Sequence, residues 1–304
     1  MELEPHYRTP MALKMAVSSA ARNSPLDTGR AVQSFYYHRF LCRVFSEESG
    51  FVLKGGHGML ARTTNARATR DLDLLADKHD LDEALGELVR LASKDLSDFI
   101  IFELIGVEQI KTQDDYRGGL NVRFSCRLGA ANLPPISIDL VVDTVDPSPP
   151  ETLRPADRLD LPGLPAYDYK VYATVDAVAD KVCAMYETHG GLPSSRVKDL
   201  VDIVVYLSTT DISGSDLRKR LLLEARLRHI ELPGTFILPA GWDPLHRPTF
   251  SKLAKTTGLD PSLRSLDGTS HVAAEFLNPV LDGSANGGLW DHELLSWKTD
   301  TEIG

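Results

Sequence analysis

The apolar positions of the chain change period near its middle. From about residue 51 to residue 143, strand-like runs alternate with helix-like ones: "FVLK" from Phe51, "LDLLA" from Leu72, a helical stretch from Asp80, then "FIIFELIGVEQI", "LNVRFSCRL" and "ISIDLVV". That succession predicts a mixed sheet with a helix packed on it. The helix carries its own start signal, with Asp80 placed to cap, Glu83 three residues on, and Leu81, Ala84, Leu85, Leu88, Val89 and Leu91 at helical spacing. From Thr144 to Pro165 the prolines at 147, 149, 150, 155, 162 and 165 are too many for a helix or a central strand, and predict a crossing linker. Beyond it the pattern is helical, in "TVDAVADKVCAMYE", "RVKDLVDIVVYL", "SDLRKRLLLEARL" and "HVAAEFLNPVL". Residues 1–50 also read as mostly helical, and no internal repeat is seen. The expected class is α+β: a helical segment over 1–50, a mixed-sheet core over 51–165 and a mainly helical C-terminal domain over 166–304.

Composition adds few constraints. With 304 residues, 42% of them hydrophobic and 25% charged, the chain is long enough for a sizeable core. Cys42, Cys126 and Cys183 lie far apart without CxxC spacing, which argues against a disulfide framework or a zinc ribbon and for a reducing cytoplasm. No apolar run approaches the roughly 18 residues of a membrane span, so neither export nor insertion is expected. The net charge of −10 restricts any nucleic-acid contact to local basic clusters, of which Arg218, Lys219, Arg220, Arg226 and Arg228 form the best.

The chemistry concentrates in "FVLKGGHGMLARTTNARATRDLDLLAD". Side chains alternate along a strand, so Asp71 and Asp73 share one side while Leu72 and Leu74 take the other. Two carboxylates held together repel, and a divalent cation removes that cost; oxygen donors favour magnesium or manganese. Asp139, mid-strand between Ile138 and Leu140, is costly there unless paired, hydrogen-bonded or metal-bound, and is the expected third ligand. Asp143, at the proline-rich exit, reads as a turn or cap residue. The turn "KGGHG" ahead of a short helix aims backbone N–H groups at an anion, yet it is neither GxGxxG nor GxxxxGK[ST].

Further on, Lys198 and Asp202 stand four apart and share a helix face, with Asp199 beside them; a functional cluster and a plain i,i+4 ion pair are the competing readings. Lys181, among Val178, Val182 and Met185, either reaches water or meets a buried partner.

The string "KGG", then Arg67, then "TRDLDL" resembles the first motif of the AbiEii-type nucleotidyltransferases, toxins of bacterial toxin–antitoxin systems within the DNA polymerase beta-like superfamily. "VADKVCAMYE" resembles the family helix with its central lysine, and "SRVKDLVDIVVYL" its R-x-K-D-x-x-D helix, so the matches run from about Lys54 to Asp202. The resemblance implies a nucleotidyltransferase core using an NTP and Mg2+ or Mn2+ held by Asp71, Asp73 and Asp139, with Lys181 and Asp202 completing the catalytic set. It further implies nucleotide contacts from Lys54, Gly55, Gly56, His57, Arg67, Lys198 and Asp199. The implied acceptor is RNA, foremost the 3′ end of tRNA, and the implied partner is a cognate antitoxin. His57 departs from the serine or threonine usual after the two glycines and puts a larger, pH-dependent donor there. Two rivals remain: a small-molecule, aminoglycoside-type transferase, which suits an acidic protein, and a non-catalytic nucleotide- or RNA-binding module. The basic helix favours RNA over the first, and the carboxylate set favours an enzyme over the second.

Overall fold

The alternating segments from Phe51 onward assemble into a seven-stranded mixed sheet in the computed structural model, which describes residues 6–77, 80–110, 117–143, 145–189 and 191–298. The chain falls into two units, one of Met1–Thr64, Ala68–Asp146 and Pro150–Tyr172, the other of Asn65–Arg67, Pro147–Pro149 and Ala173–Gly304.

In the first unit, helices α1 (Pro10–Arg22) and α2 (Thr28–Val44) precede strand β1 (Phe51–Lys54), helix α3 (Gly55–Arg62), strand β2 (Leu72–Ala76) and helix α4 (Leu81–Ala92). Strands β3 (Ile100–Gln109), β4 (Arg117–Leu128) and β5 (Ala131–Asp143) form an antiparallel meander, and β6 (Glu151–Leu153) and β7 (Tyr169–Val171) complete the sheet in the order β3-β4-β5-β2-β1-β7-β6. β2 runs parallel to β5 and β1 parallel to β7, while β1 and β2 are antiparallel. The α4 start signal works as its sequence reads: the Glu83 N–H donates to Asp80 Oδ1 at 2.8 Å, and Ala84, Leu88, Leu91 and Ala92 are buried. α2 closes one face of the sheet, where Phe40 meets the rings of Phe102 and Phe124, each centroid 5.2 Å away. α2 also carries Arg39 and Arg43 to Asp98: Arg43 Nη2 donates to Asp98 Oδ1 and Arg39 Nε to Oδ2, each at 2.7 Å. All three side chains are buried, and although burial pushes the Asp98 carboxyl up, Arg43 and Arg39 outweigh it and hold it below the usual range.

The proline-rich stretch is not a bare linker. It supplies β6 at the edge of the sheet, where a strand tolerates neighbouring prolines, and Asp157, which accepts from Ser34 Oγ at 2.8 Å and pairs with His38 Nε2 at 3.0 Å.

The second unit is mainly helical, with α5 (Thr174–Tyr186), α6 (Val197–Leu207), α7 (Gly214–Leu227), α8 (Trp242–Leu245), α9 (Arg247–Ala254) and α10 (Leu266–Asp282). Short strands accompany them: β8 (Thr188–His189) with β9 (Leu192–Pro193), and β10 (Ile212–Ser213), β11 (Leu289–Asp291) and β12 (Ser296–Lys298) as a three-stranded sheet. α6 is its buried axis, with Leu200, Val201, Ile203, Val204, Val205 and Leu207 inaccessible to solvent. Among the described residues, no helix is long and apolar enough to cross a membrane.

Candidate active site

Strand register puts four polar residues in one row across the first unit. Lys54 on β1 stands opposite Asp73 on β2, Asp73 opposite Asp139 on β5, and Asp139 opposite Asn121 on β4. Residues in register point to one face of a sheet, and adjacent strands lie about 4.8 Å apart. The other face takes Leu72, Leu74, Ile138 and Leu140, all fully buried. Asn121 Nδ2 donates to Asp139 Oδ1 at 2.7 Å and to Ser137 Oγ at 2.9 Å. Lys54 Nζ lies 3.7 Å from Asp143 Oδ2 and 4.1 Å from the centroid of the Tyr172 ring. Asp143, expected in a turn or cap, thus ends β5 as an ionic partner of Lys54. Asp71 sits one residue ahead of β2 and is exposed.

The glycine turn closes over this row. Lys54 is the N-cap of α3, whose first-turn amides have no helical acceptors. Gly55 has a φ of +59°, and a Cβ built on it would lie 1.9 Å from Asp73 Oδ2. On Gly56 the same atom would lie 2.8 Å from the Thr69 Cβ. His57, expected as a donor on the turn, faces inward instead, because the helix begins at Gly55 and rotates the third residue toward α2. Its ring meets Tyr37 edge-on at 4.8 Å, and Nδ1 donates to the Asp71 carbonyl at 3.0 Å. A carbonyl only accepts, so the proton sits on Nδ1. Burial holds the imidazole neutral, with its pKa lowered to about 4.

Among the described residues, no three His, Cys, Asp or Glu side chains converge as a metal cage. Asp73 and Asp139 nevertheless fit a hard divalent cation. They present carboxylate oxygens at equal register, with Gly55 lacking the Cβ that would fill the space against Asp73. Magnesium is commonly held by one or two carboxylates and takes its other ligands from phosphate and water.

The second unit carries a cluster of its own. Asp202 accepts from Arg67 Nε and Nη2, both at 2.9 Å, and from Lys181 Nζ at 2.7 Å. Asp199 accepts from Lys181 Nζ at 3.2 Å and from Arg196 Nε at 2.5 Å. Burial alone would lower the Lys181 pKa, but the Asp202 and Asp199 carboxylates raise it, so the ammonium stays charged. Burial likewise opposes the Asp199 charge, and Lys181 and Arg196 more than offset it. Of the two settings open to Lys181, the buried partner is the one found. Lys198 is exposed, and Asp202 turns to Lys181 and Arg67 rather than to it.

The family model described as nucleotidyl transferase AbiEii toxin, type IV toxin–antitoxin system, matches residues 39–266, a span that includes every side chain of both clusters. The chain belongs to the AbiEii nucleotidyltransferase toxin family. As a member it is an enzyme, which sets aside the non-catalytic module. Solved structures similar to it include MenT4, a nucleotidyltransferase toxin from Mycobacterium tuberculosis H37Rv, at 20% identity and a TM-score of 0.48, covering 69% of each chain. Another is JHP933 from Helicobacter pylori, at 16% identity and a TM-score of 0.45, covering 83% of this chain and 95% of that one. No curated protein sequence matches the chain.

In this AbiEii-family chain the basic helix differs from its sequence reading. Arg218 Nη1 donates to the carbonyls of Val280 and Leu281 at 2.5 and 2.6 Å, capping the end of α10. Arg220 lies 3.4 Å from Asp176, and Arg228 pairs with Glu224, Asp180 and Glu187 at 2.8, 3.0 and 3.3 Å. The physical reason is that α7 packs against the buried Asp176 and buries its own Glu224, and both carboxylates require neutralisation. Lys219 and Arg226 are the exposed remainder, and Lys219 lies 3.2 Å from Asp216. The sequence reading also passed over Asn121. Its only local signal is a polar residue between Leu120 and Val122 in an alternating strand, which does not reveal that β5 places Asp139 opposite it.

Proposed function

We propose that this toxin-family enzyme transfers a nucleoside monophosphate from an NTP to an RNA acceptor, the 3′ end of tRNA foremost, releasing pyrophosphate and using Mg2+ or Mn2+. The observation that carries the reading is the row of Lys54, Asp73, Asp139 and Asn121 beside the first turn of α3. Asp73 and Asp139 would hold the cation, with Asp71 contributing from just ahead of β2. Such a cation, when bound, neutralises triphosphate charge and lowers the pKa of the acceptor hydroxyl.

The chain's own residues supply the rest. Backbone N–H groups of Gly55, Gly56 and His57 offer donors to phosphate oxygens, and the missing Cβ atoms let the phosphates approach. Lys54 adds positive charge at the end of the row. The phosphate role that the resemblance gives Lys181, Arg67, Lys198 and Asp199 is supported by Lys181 being held charged by Asp199 and Asp202. In the reaction the acceptor oxygen forms a bond to the alpha phosphorus, and the bridging bond to the beta phosphate breaks. The type IV toxin–antitoxin family description supports a cognate antitoxin as partner. Three free, buried thiols accord with a cytoplasmic location.

A second reading, a small hydroxyl compound as acceptor, is favoured by the inward-facing arginines of α7. Incubation with each labelled NTP, Mg2+ and either total cellular RNA or an aminoglycoside separates the two. Label on RNA of tRNA size supports the first reading, label on the small compound alone replaces it with the second, and no transfer to either overturns both.

A further inference from the structure

Asn121 is the one member of the row that can neither ligate as an anion nor balance charge. Its position is nevertheless tightly specified. Asp139 Oδ1, 2.7 Å from Nδ2, can only accept, so the amide presents its NH2 group there, and Ser137 Oγ, 2.9 Å away, takes the other proton. The antiparallel pairing sets Asn121 opposite Asp139, and Ser137, two residues earlier on β5, holds the amide that fastens the carboxylate.

The consequence is directional. β5 lies between β4 and β2, with Asn121 on one side of Asp139 and Asp73 on the other. Oδ1 is the oxygen fastened to β4, so Oδ2 is the one that would meet a cation shared with Asp73. A carboxylate held this way offers a cation one oxygen rather than two. Calcium takes six to eight oxygens and readily uses bidentate carboxylates, whereas magnesium demands octahedral geometry that single oxygens satisfy. Manganese shares that octahedral oxygen preference.

We infer that Asn121 is a positioning residue that holds Asp139 as a one-oxygen ligand and thereby sets the cation preference of the site toward magnesium and manganese over calcium. This rests on the reading of Asp73 and Asp139 as the cation site.

The test uses the full chain and Mn2+ alone, followed through the loss of the free-ion electron paramagnetic resonance signal, with Ca2+ as competitor. Asn121→Leu fills the space without a donor, and Asn121→Ala empties it. Both should weaken Mn2+ binding by about tenfold, the lower end for an outer partner of a metal ligand, and both should let Ca2+ compete more effectively. A purely structural role would shift thermal unfolding in a chelator and leave the Mn2+ to Ca2+ ratio alone. Affinity and ratio both within about twofold of the parent in the two variants would overturn the inference. Asp73→Asn separates the two levels: if it abolishes Mn2+ binding while the Asn121 variants bind normally, only this inference falls; if it too binds normally, the cation site itself falls. Should neither Asn121 variant fold, the side-chain amide resonances of Asn121 in the unmutated protein decide. Movement on addition of Mg2+ supports the inference, and none overturns it.

Discussion

Gly55 and Asp73 are so close that a Cβ on the glycine would fall 1.9 Å from the carboxylate Oδ2. Gly55→Ala therefore meets two obstacles, displacement of Asp73 and a φ of +59° that costs an L-residue about 1–2 kcal/mol. Transfer should fall about 100-fold, since small misplacements of reacting groups cost that much. Gly86→Ala is the control: nothing lies within 4 Å of its Cβ, it sits inside α4, and it should stabilise by about 0.5–1 kcal/mol. Steady-state transfer rates and urea unfolding of both variants check the pair.

Asp73→Asn and Asp139→Asn should each remove measurable transfer while leaving a folded protein. Asp143→Asn removes an ionic partner of Lys54 and not a member of the row. It should raise the KM for nucleotide and leave kcat within about threefold. The reverse ranking, with Asp139→Asn active and Asp143→Asn dead, would show that the wrong carboxylate has been assigned.

Lys181→Met should fold and lose activity, because Asp199 keeps Arg196 and Asp202 keeps Arg67 while the ammonium is gone. The double change Lys198→Asp with Asp202→Lys should not restore an exchanged ion pair. It sets a lysine against Arg67 and Lys181, and like charges in a buried site should cost about 3–5 kcal/mol. Normal stability of the double variant in urea titrations would contradict the geometry.

The acid limb of stability should depend on Asp98. Its folded pKa lies below the ordinary 3.8, so its contribution is complete above 3.8 and is lost as the pH falls through the lower, folded value. Asp98→Asn leaves Arg43 and Arg39 without their anion and should cost about 3–5 kcal/mol at neutral pH. The gap between parent and variant should shrink as the pH drops below 3.8. A gap of constant size across denaturation curves from pH 7 to about 2.5 would exclude this linkage.

If α7 meets RNA, it does so through Lys219 and Arg226. Changing both to glutamine should reduce the slope of log affinity against log salt by at most about 1.4–1.8, two contacts' worth. Arg228→Gln should leave the slope unchanged and lower stability instead, since it strips Glu224, Asp180 and Glu187 of their shared cation. A slope change on Arg228→Gln in a folded protein would restore the wider basic track.

The features legible along the chain are local ones. Period-two alternation fixed that Leu72 and Leu74 enter the core and leave Asp73 on the opposite face, and the Asp80 cap fixed where α4 begins. Family membership, too, was legible, because its motifs are short strings of contiguous residues. Tertiary structure alone decided what those residues meet. Asn121 faces Asp139 because β4 and β5 close a hairpin in one register of several that the alternation allows, and a slip would have moved the amide away. Lys54 found Asp143, and Asp202 found Arg67 across 135 residues, through pairings that no local pattern encodes. The arginines of α7 illustrate the same limit: a charge run reads as surface until packing sets the buried Asp176 against it and buries its own Glu224, and neutralising them then outweighs exposure to water.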